Sequence, residues 1–379
     1  MSFALPNQSG WPALSTGQPK IATVNAQVIR LSGCRPCISM ARSWDVFVGR
    51  LTLDHVLVTG GAGYIGSHAC KALHKAGFIP VAFDNLSTGW NEAVKFGPLV
   101  KADLMDRSAL DAAFRDYKPV AVLHFAALSL VGDSMRDPGH YWKVNLGGAL
   151  NLAEAAVAAG CLNFIFSSTC ATYGDNDGVV LTEDTVQRPI NAYGASKRAI
   201  EDVLTNFEAA FGLKHVIFRY FNVAGADPEG ELGEQHLPET HLIPLMLDAI
   251  AGRRAALTLH GTDYATKDGT CVRDYLHVMD LAEAHVLGLR WLLNGKGTRV
   301  FNLGTGNGFS VRDVIRHAGL VTNAPVPIVE GPRRPGDAAI LVSGSDRAER
   351  ELGWSRPRST MDQMIRDAWT WHQKPGYSA

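Results

Sequence analysis

DHVLVTGGAGYIGSHACKALHKAGF, residues 54–78, decides how this chain folds. HVLVT is a short, β-rich run that suits a buried strand and is too short for a free-standing helix. Gly60, Gly63 and Gly66 follow at three-residue intervals, and apolar and polar residues then alternate at helical spacing until Gly77. Strand, glycine turn and helix in that order open a βαβ unit. Positions without side chains permit the tight turn and let the backbone approach a pyrophosphate at the positive end of the helix. IPVAFD, 79–84, is the next strand, and Asp84 ends it eighteen residues after Gly66. Its carboxylate can accept from both hydroxyls of an adenosine ribose and repels a 2′-phosphate, which favours NAD over NADP. The same residue also reads as a strand-end cap for the NLSTG turn. Asp103, in VKADLMD, stands where the following strand should end and is a candidate adenine contact.

The rhythm continues outward. AVLHFAA (121–127), LNFIFSS (162–168) and HVIFRY (215–220) read as strands, separated by helical stretches such as PGHYWKVNLGGALNLAEAAVAAG, 138–160. Continuous apolar strands alternating with helices predict a Rossmann-type, doubly wound parallel sheet covered on both faces. Near residue 222 the pattern changes to a polar loop, DPEGELGEQHLPET (227–240), a segment HLIPLMLDAIAGRR that looks helical after its proline, and short elements with glycine turns. We therefore expect a dinucleotide-binding domain over 54–223 and a smaller mixed α/β substrate domain over 224–374, with some segments packing back on the first. The latter belongs beside the carboxyl edge of the sheet, where such folds bind substrate.

NAYGASK, 191–197, places Tyr193 and Lys197 four residues apart, on one face of a helix running on to about Gly212. A phenol, with a reference pKa of about 10, is a poor base at neutral pH, and a nearby ammonium lowers that value by roughly one to three units. Tyr193 can then take a proton from a substrate hydroxyl while hydride leaves the adjacent carbon. FSSTCATYG, 166–174, ends a strand and offers the hydroxyls of Ser167, Ser168 and Thr169. Thr169 is placed to bond the reacting oxygen and relay its proton to Tyr193.

Other chemistries find little support. The 379 residues are 46% hydrophobic and 19% charged, with a net charge of -1, so composition points to neither nucleic acid nor membrane. No apolar run approaches the roughly 18 residues needed to span a bilayer. There is no nucleophile elbow and no paired-metal motif. Cys34 and Cys37 have the spacing of a redox or metal half-site without a second pair, and His236 and His241 lack supporting ligand spacing, so no metal is expected. Six cysteines fit a reduced, cytoplasmic setting. Residues 1–53 contain no acid before Asp45 and read as a tail, a targeting segment or a start upstream of Met40.

VLVTGGAGYIGSH, DNLSTG, HFAALSLVGDS, SSTCATYG, NAYGASK, RYFNVAGAD and GTDYATKDGTCVRDYLHVMDLA together resemble the extended short-chain dehydrogenase/reductase family, and within it the nucleotide-sugar 4-epimerases. The likeness runs from about residue 54 to 374. It implies reversible inversion at C4 of UDP-glucose and UDP-galactose through a transient 4-keto sugar, with tightly held NAD. UDP-xylose/UDP-arabinose or UDP-N-acetylhexosamines are alternative substrates, and a non-catalytic NAD-binding regulator is the alternative of a different class. The resemblance assigns catalysis to Tyr193, Lys197 and Thr169. It assigns NAD contacts to Gly60, Gly63, Tyr64, Ile65, Gly66, Asp84, Asn85, Asp103, Leu104, Phe125, Ala126, Ala127, Asn145, Ser167, Tyr193, Lys197 and Tyr220.

For the UDP-sugar it implies Thr169, Tyr193, Phe221, Asn222, His241, Leu242, Arg273, Arg334, Asp337 and Leu341. The arginine fork suits a diphosphate, although Arg273 also reads as a local partner of Asp274 or Asp268. Related dehydratases carry an Asp-Glu pair after the threonine, where this chain has Cys170 and Ala171. Ser129 replaces a longer or basic residue, His241 an asparagine, and Leu341 is intermediate in bulk at the gate beside the sugar's C2 group. A homodimer through helices near 142–160 and 191–211 is also implied.

Overall fold

The computed structural model describes residues 53–176, 179–334, 337–374 and 376–378. The N-terminal extension, with Cys34 and Cys37, lies outside the described residues.

The opening unit forms as its residues dictate. β1 (His55–Thr59) runs through the glycine turn into the helix Tyr64–Lys75 and then β2 (Ile79–Asp84). Gly60 adopts φ +72°, and a Cβ on Gly66 would lie 2.0 Å from the Gly60 carbonyl oxygen, so the turn and helix meet only as glycines. β3 (Leu99–Lys101), β4 (Ala121–His124), β5 (Asn163–Ser167), β6 (Lys214–Tyr220) and β7 (Asn222–Ala224) follow. β8 (Leu257–His260), β9 (Val272–His277), β10 (Arg299–Leu303), β11 (Gly308–Ser310), β12 (Ile328–Gly331) and β13 (Ile340–Leu341) complete the strands.

The main sheet has seven parallel strands in the order β10-β6-β5-β4-β1-β2-β3. The chain winds outward from β1 to β3, then restarts at β4 on the other side, which opens a crevice at the carboxyl ends of β1 and β4. Alternate strand residues face opposite layers. Val56, Val58, Leu123 and Phe218 pack with Leu73, Leu281 and Leu289 of the helices Tyr64–Lys75 and Val278–Leu293. Leu57, Phe83, Val122 and Phe166 pack on the opposite layer, with Phe114, Leu152 and Leu204 of the helices Arg107–Tyr117, Gly148–Ala158 and Ala192–Phe211.

Beyond β6 the chain builds smaller sheets. β7, β11 and β13 all pair with β9, and β12 pairs with β8. β10 returns to the edge of the main sheet, so the C-terminal half contributes to both layers of construction. Two helices differ from the sequence reading. The segment 138–160 is interrupted by a π-helical turn, Trp142–Gly147, which carries Asn145 into the interior. The helix Leu242–Ile250 begins two residues before Pro244. A proline in the first turn lacks only an N–H that has no partner there anyway.

Lys71 ties the first helix to the polar loop. Its Nζ lies 2.6 Å from Asp227, 2.8 Å from Glu229 and 2.5 Å from Glu231. In the closing helix, Met361–His372, Trp371 is buried and its indole N–H donates to Glu234 O at 3.2 Å, while Trp369 is half-buried. Among the described residues, no helix is long and apolar enough to cross a membrane.

Candidate active site

At the crevice the backbone itself forms a cradle. A Cβ on Gly60 would lie 2.7 Å from Ala126 N, and the amides of Phe125 and Ala126 donate to Thr59 O at 3.0 and 3.2 Å. Gly63 precedes the helix, whose first residues are Tyr64 and Ile65; the Tyr64 hydroxyl donates to Gly225 O at 2.6 Å. Asp84 ends β2, accepting from Ala62 N at 3.0 Å and Leu86 N at 2.8 Å. Burial raises its pKa and these two amides partly oppose that. Asp84 thus does cap the turn, while each oxygen keeps a further lone pair for a ligand. Asn85 donates to Asp103 at 2.8 Å, and Asp103 accepts from Met105 N, two residues beyond the end of β3. Leu104 packs on Gly148.

Asn145 mimics backbone. It accepts from Leu128 N at 2.8 Å and donates to Leu128 O and Ser196 Oγ at 3.1 Å each, so it fixes the loop after β4 to the helix of Tyr193. Ser129 is exposed, as the shorter side chain there permits, and Ala127 is half-buried.

The helix Ala192–Phe211 begins at Asn191, whose side chain accepts from Gly194 N at 2.8 Å. Its first turns present Tyr193 and Lys197. Lys197 Nζ donates to Ser167 O at 2.9 Å and sits 4.9 Å from the centre of the Phe166 ring. Burial lowers its pKa to about 7 despite the pull of Glu201. Ser167 hydrogen-bonds Tyr220. Thr169 Oγ1 accepts from Ala171 N at 3.1 Å and adjoins the Tyr193 hydroxyl.

Burial raises Tyr193 to about 12, with the Thr169 hydroxyl only partly offsetting it, so the lowering expected from the sequence depends on positive charge placed beside the phenol. One expectation needs correction here. Ser168 does not face the site. Its hydroxyl donates to Glu201 at 2.5 Å, in a buried network where Arg219 also bonds Glu201 and Tyr173. Cys170 is fully buried and its thiol is pushed well up by burial.

On the other side of the crevice, β13 sets Leu341 beside Arg273 in β9, and Leu341 and Phe221 both pack on the buried Cys170, Tyr173 and Leu181. Asn222 is exposed at the start of β7. Arg273 is buried, donates to Val272 O at 2.9 Å and lies 3.5 Å from Asp337. Its partner is therefore Asp337. Asp274 points elsewhere, to Thr305 N at 2.9 Å and Gly306 N at 3.1 Å, and Asp268 bonds Thr270 and Ser310. Arg334 is exposed and its charge reaches His241, which precedes Leu242 at the start of a helix.

Three groups escaped the sequence reading. Glu201 continues the four-residue spacing of Tyr193 and Lys197, so helical periodicity alone would have found it. Glu234 and Glu239 surround His236 and His241, with donor atoms of all four within 4.8 Å of one another. The carboxylates missing from the sequence argument are thus present: Glu239 lies 3.4 Å from the His236 ring and Glu234 2.7 Å from the His241 ring.

Comparison with known proteins identifies the family. The model of the NAD dependent epimerase/dehydratase family matches residues 56–304. The UDP-glucose 4-epimerase of Rhizobium leguminosarum bv. trifolii is 49% identical over 321 residues, 85% of this chain and 98% of that protein. The crystal structure of UDP-glucose 4-epimerase from Brucella ovis in complex with NAD is 46% identical, with a TM-score of 0.81 over 84% of this chain and 98% of that one. UDP-glucose-4-epimerase from Stenotrophomonas maltophila, with bound NAD and formylated UDP-arabinopyranose, is 38% identical, with a TM-score of 0.81 over 84% and 98%. Given the glycine cradle at the switch point, the tyrosine and lysine on one helix and a match across most of the chain, this protein belongs to the NAD dependent epimerase/dehydratase family, alongside UDP-glucose 4-epimerases.

Proposed function

We propose that the protein interconverts UDP-glucose and UDP-galactose by inverting C4, using bound NAD. The observation that carries this reading is the meeting of Tyr193, Thr169 and Lys197 at the carboxyl end of β5, beside the glycine cradle. The cradle fits a dinucleotide: a Cβ at Gly60 or Gly66 would collide with backbone, leaving bare amides at the helix start where a pyrophosphate belongs. Gly60, Gly63, Tyr64, Ile65 and Gly66 would hold the pyrophosphate, Asp84 and Asn85 the adenosine ribose, and Asp103 and Leu104 the adenine. Phe125, Ala126, Ala127, Asn145, Ser167, Lys197 and Tyr220 would surround the nicotinamide end. The chemistry supplied there is reversible hydride acceptance from C4.

The chain's own residues handle the proton. Tyr193 receives it from the C4 hydroxyl through or beside Thr169 and later returns it, so the reaction has no net proton or redox change. A phenol near pKa 12 needs added positive charge to do so at neutral pH. Lys197, balanced near pH 7 between its charged and neutral forms, can gain charge as the phenol loses its proton. Cys170 and Ala171 provide no carboxyl pair for acid–base work at C5 and C6: burial makes the thiol too weak an acid to give up its proton, and alanine has no ionisable group. That favours epimerisation over dehydration.

Arg273 and Arg334 bind the diphosphate, Asn222, His241 and Leu242 border it, and Asp337 takes the uridine ribose while orienting Arg273. A homodimer through the helices carrying Trp142, Leu150 and Phe211, each partly exposed, belongs to the same proposal. Leu341, on the floor formed with Phe221, keeps a second reading open: a pentose pair, UDP-xylose and UDP-arabinose, uses the same groups. Turnover of UDP-galactose, UDP-xylose and UDP-N-acetylgalactosamine by one preparation tests the choice. UDP-galactose should turn over fastest; conversion of the pentose alone would overturn the hexose assignment.

A further inference from the structure

We infer that Glu234 and Glu239 hold His241 as a fixed cation on the diphosphate face, making the imidazolium a charged contact for a nucleoside diphosphate and Glu234 its positioning residue. This rests on the reading of that face given above. His241 Nδ1 lies 2.7 Å from Glu234 Oε1, and the Glu234 side chain is only 9% exposed while that of His241 is 47% exposed. The acid therefore sits behind the ring, and the ring keeps an open side. Engagement of Nδ1 by a carboxylate fixes the proton there and directs Nε2–H outward as the remaining donor.

Glu239 completes the support. Its Oε1 accepts from Thr240 N at 2.8 Å and His241 N at 2.9 Å, and lies 3.6 Å from Nδ1. The His236 ring stands edge-on to His241 at 5.1 Å, with its own Nδ1 3.4 Å from Glu239. Arg334 contributes a like charge. Tyr64, on the cofactor turn, is near enough to both glutamates that burial and their charge together hold its phenol protonated. Burial and Arg334 disfavour a charged His241, but the two carboxylates prevail and raise it to about 9.

A cation placed beside an exposed arginine, with two acids behind it, is the arrangement expected where an anion docks in front. The helix Leu242–Ile250 starts at the same point and adds its positive end. An asparagine at 241 would give a hydrogen bond independent of pH. A histidine held by Glu234 gives a charged one that fails only when the ring loses its proton.

Calorimetric titration of UDP into the NAD-loaded protein from about pH 7 to 10 tests this, with each profile read against His241→Arg so that ionisation of the phosphate, near pH 6, and of the uracil ring cancels. Relative to that variant, wild-type affinity should hold to about pH 8 and fall about tenfold by pH 10, the scale of one charged hydrogen bond. In Glu234→Gln the decline should move toward the ordinary histidine value of about 6.5, leaving UDP about tenfold weaker at pH 8. His241→Arg should show only the decline that the ligand's own ionisation imposes, and adding Glu234→Gln to it should change nothing. If Glu234→Gln reproduces the wild-type profile, the inference is wrong, although the diphosphate site stands. If wild-type protein binds no UDP, the diphosphate reading itself falls.

Discussion

Among the described residues two lysines are buried, and they are held in opposite ways. Lys71, 1% exposed, is clasped by Asp227, Glu229 and Glu231. Burial would lower its pKa, but the three carboxylates reverse the sign and carry it above the ordinary lysine range. Lys197, 2% exposed, has one backbone carbonyl and an aromatic face, with Glu201 acting only at a distance; its pKa falls to about 7. A cation with excess counter-charge is locked and joins two parts of the chain. A cation with too little is poised to change state, which a structural clamp has no use for and a proton-transfer site requires.

Substitution should separate the two by kind of damage. Lys197→Met should lower kcat about 100- to 10,000-fold, the range of a proton-transfer group, while the melting temperature without substrate does not fall. Lys71→Met should leave residual turnover per folded molecule but cost about 3–5 kcal/mol in denaturant unfolding, since it strands the buried Asp227 carboxylate. Equal losses of activity and stability in both variants would erase the distinction.

The pH dependence of stability gives an intermediate effect with opposite signs. An unfolded lysine keeps its proton up to about pH 10.4, whereas folded Lys197 releases it near 7. Between those values the unfolded chain binds more protons, so this residue makes stability rise with pH. Lys197→Met should flatten that rise in unfolding curves measured across the window. Lys71 adds no slope there, because its folded value lies above its unfolded one and its contribution persists below about pH 10.4. On the acid side Glu229 is lowered to about 2, chiefly by its bonds to Lys71 and Lys75. Its contribution is complete above about pH 4.3 and is lost as pH falls through about 2. The smallest effect belongs to Glu229→Gln at neutral pH. Its side chain is solvent-exposed and Asp227 and Glu231 remain, so the melting temperature should fall only slightly.

What the sequence made legible follows the range of the interactions. The β1–turn–helix unit is local, and each glycine answers a steric demand within a few residues. Tyr193 and Lys197 are one helical turn apart, so their shared face was readable, and Glu201 was readable by the same spacing. Lys71 and Asp227, 156 positions apart, meet only because β6 delivers the polar loop to the first helix. The local-partner reading of Arg273 failed because neighbours in sequence are not neighbours on a strand. Successive side chains of β9 face opposite ways, so Asp274 turns from Arg273 and Asp337 approaches it across the sheet from beyond Arg334. The phenol's raised pKa was hidden for another reason. Periodicity identifies a face but does not tell how much water the fold removes from it.

The central claim is that hydrogen leaves C4 and returns to the same carbon while Tyr193 serves the adjoining oxygen. Conversion of UDP-galactose deuterated at C4, in ordinary water, tests it most directly. The account predicts UDP-glucose that retains the deuterium at C4. Product carrying solvent hydrogen at that carbon would contradict it.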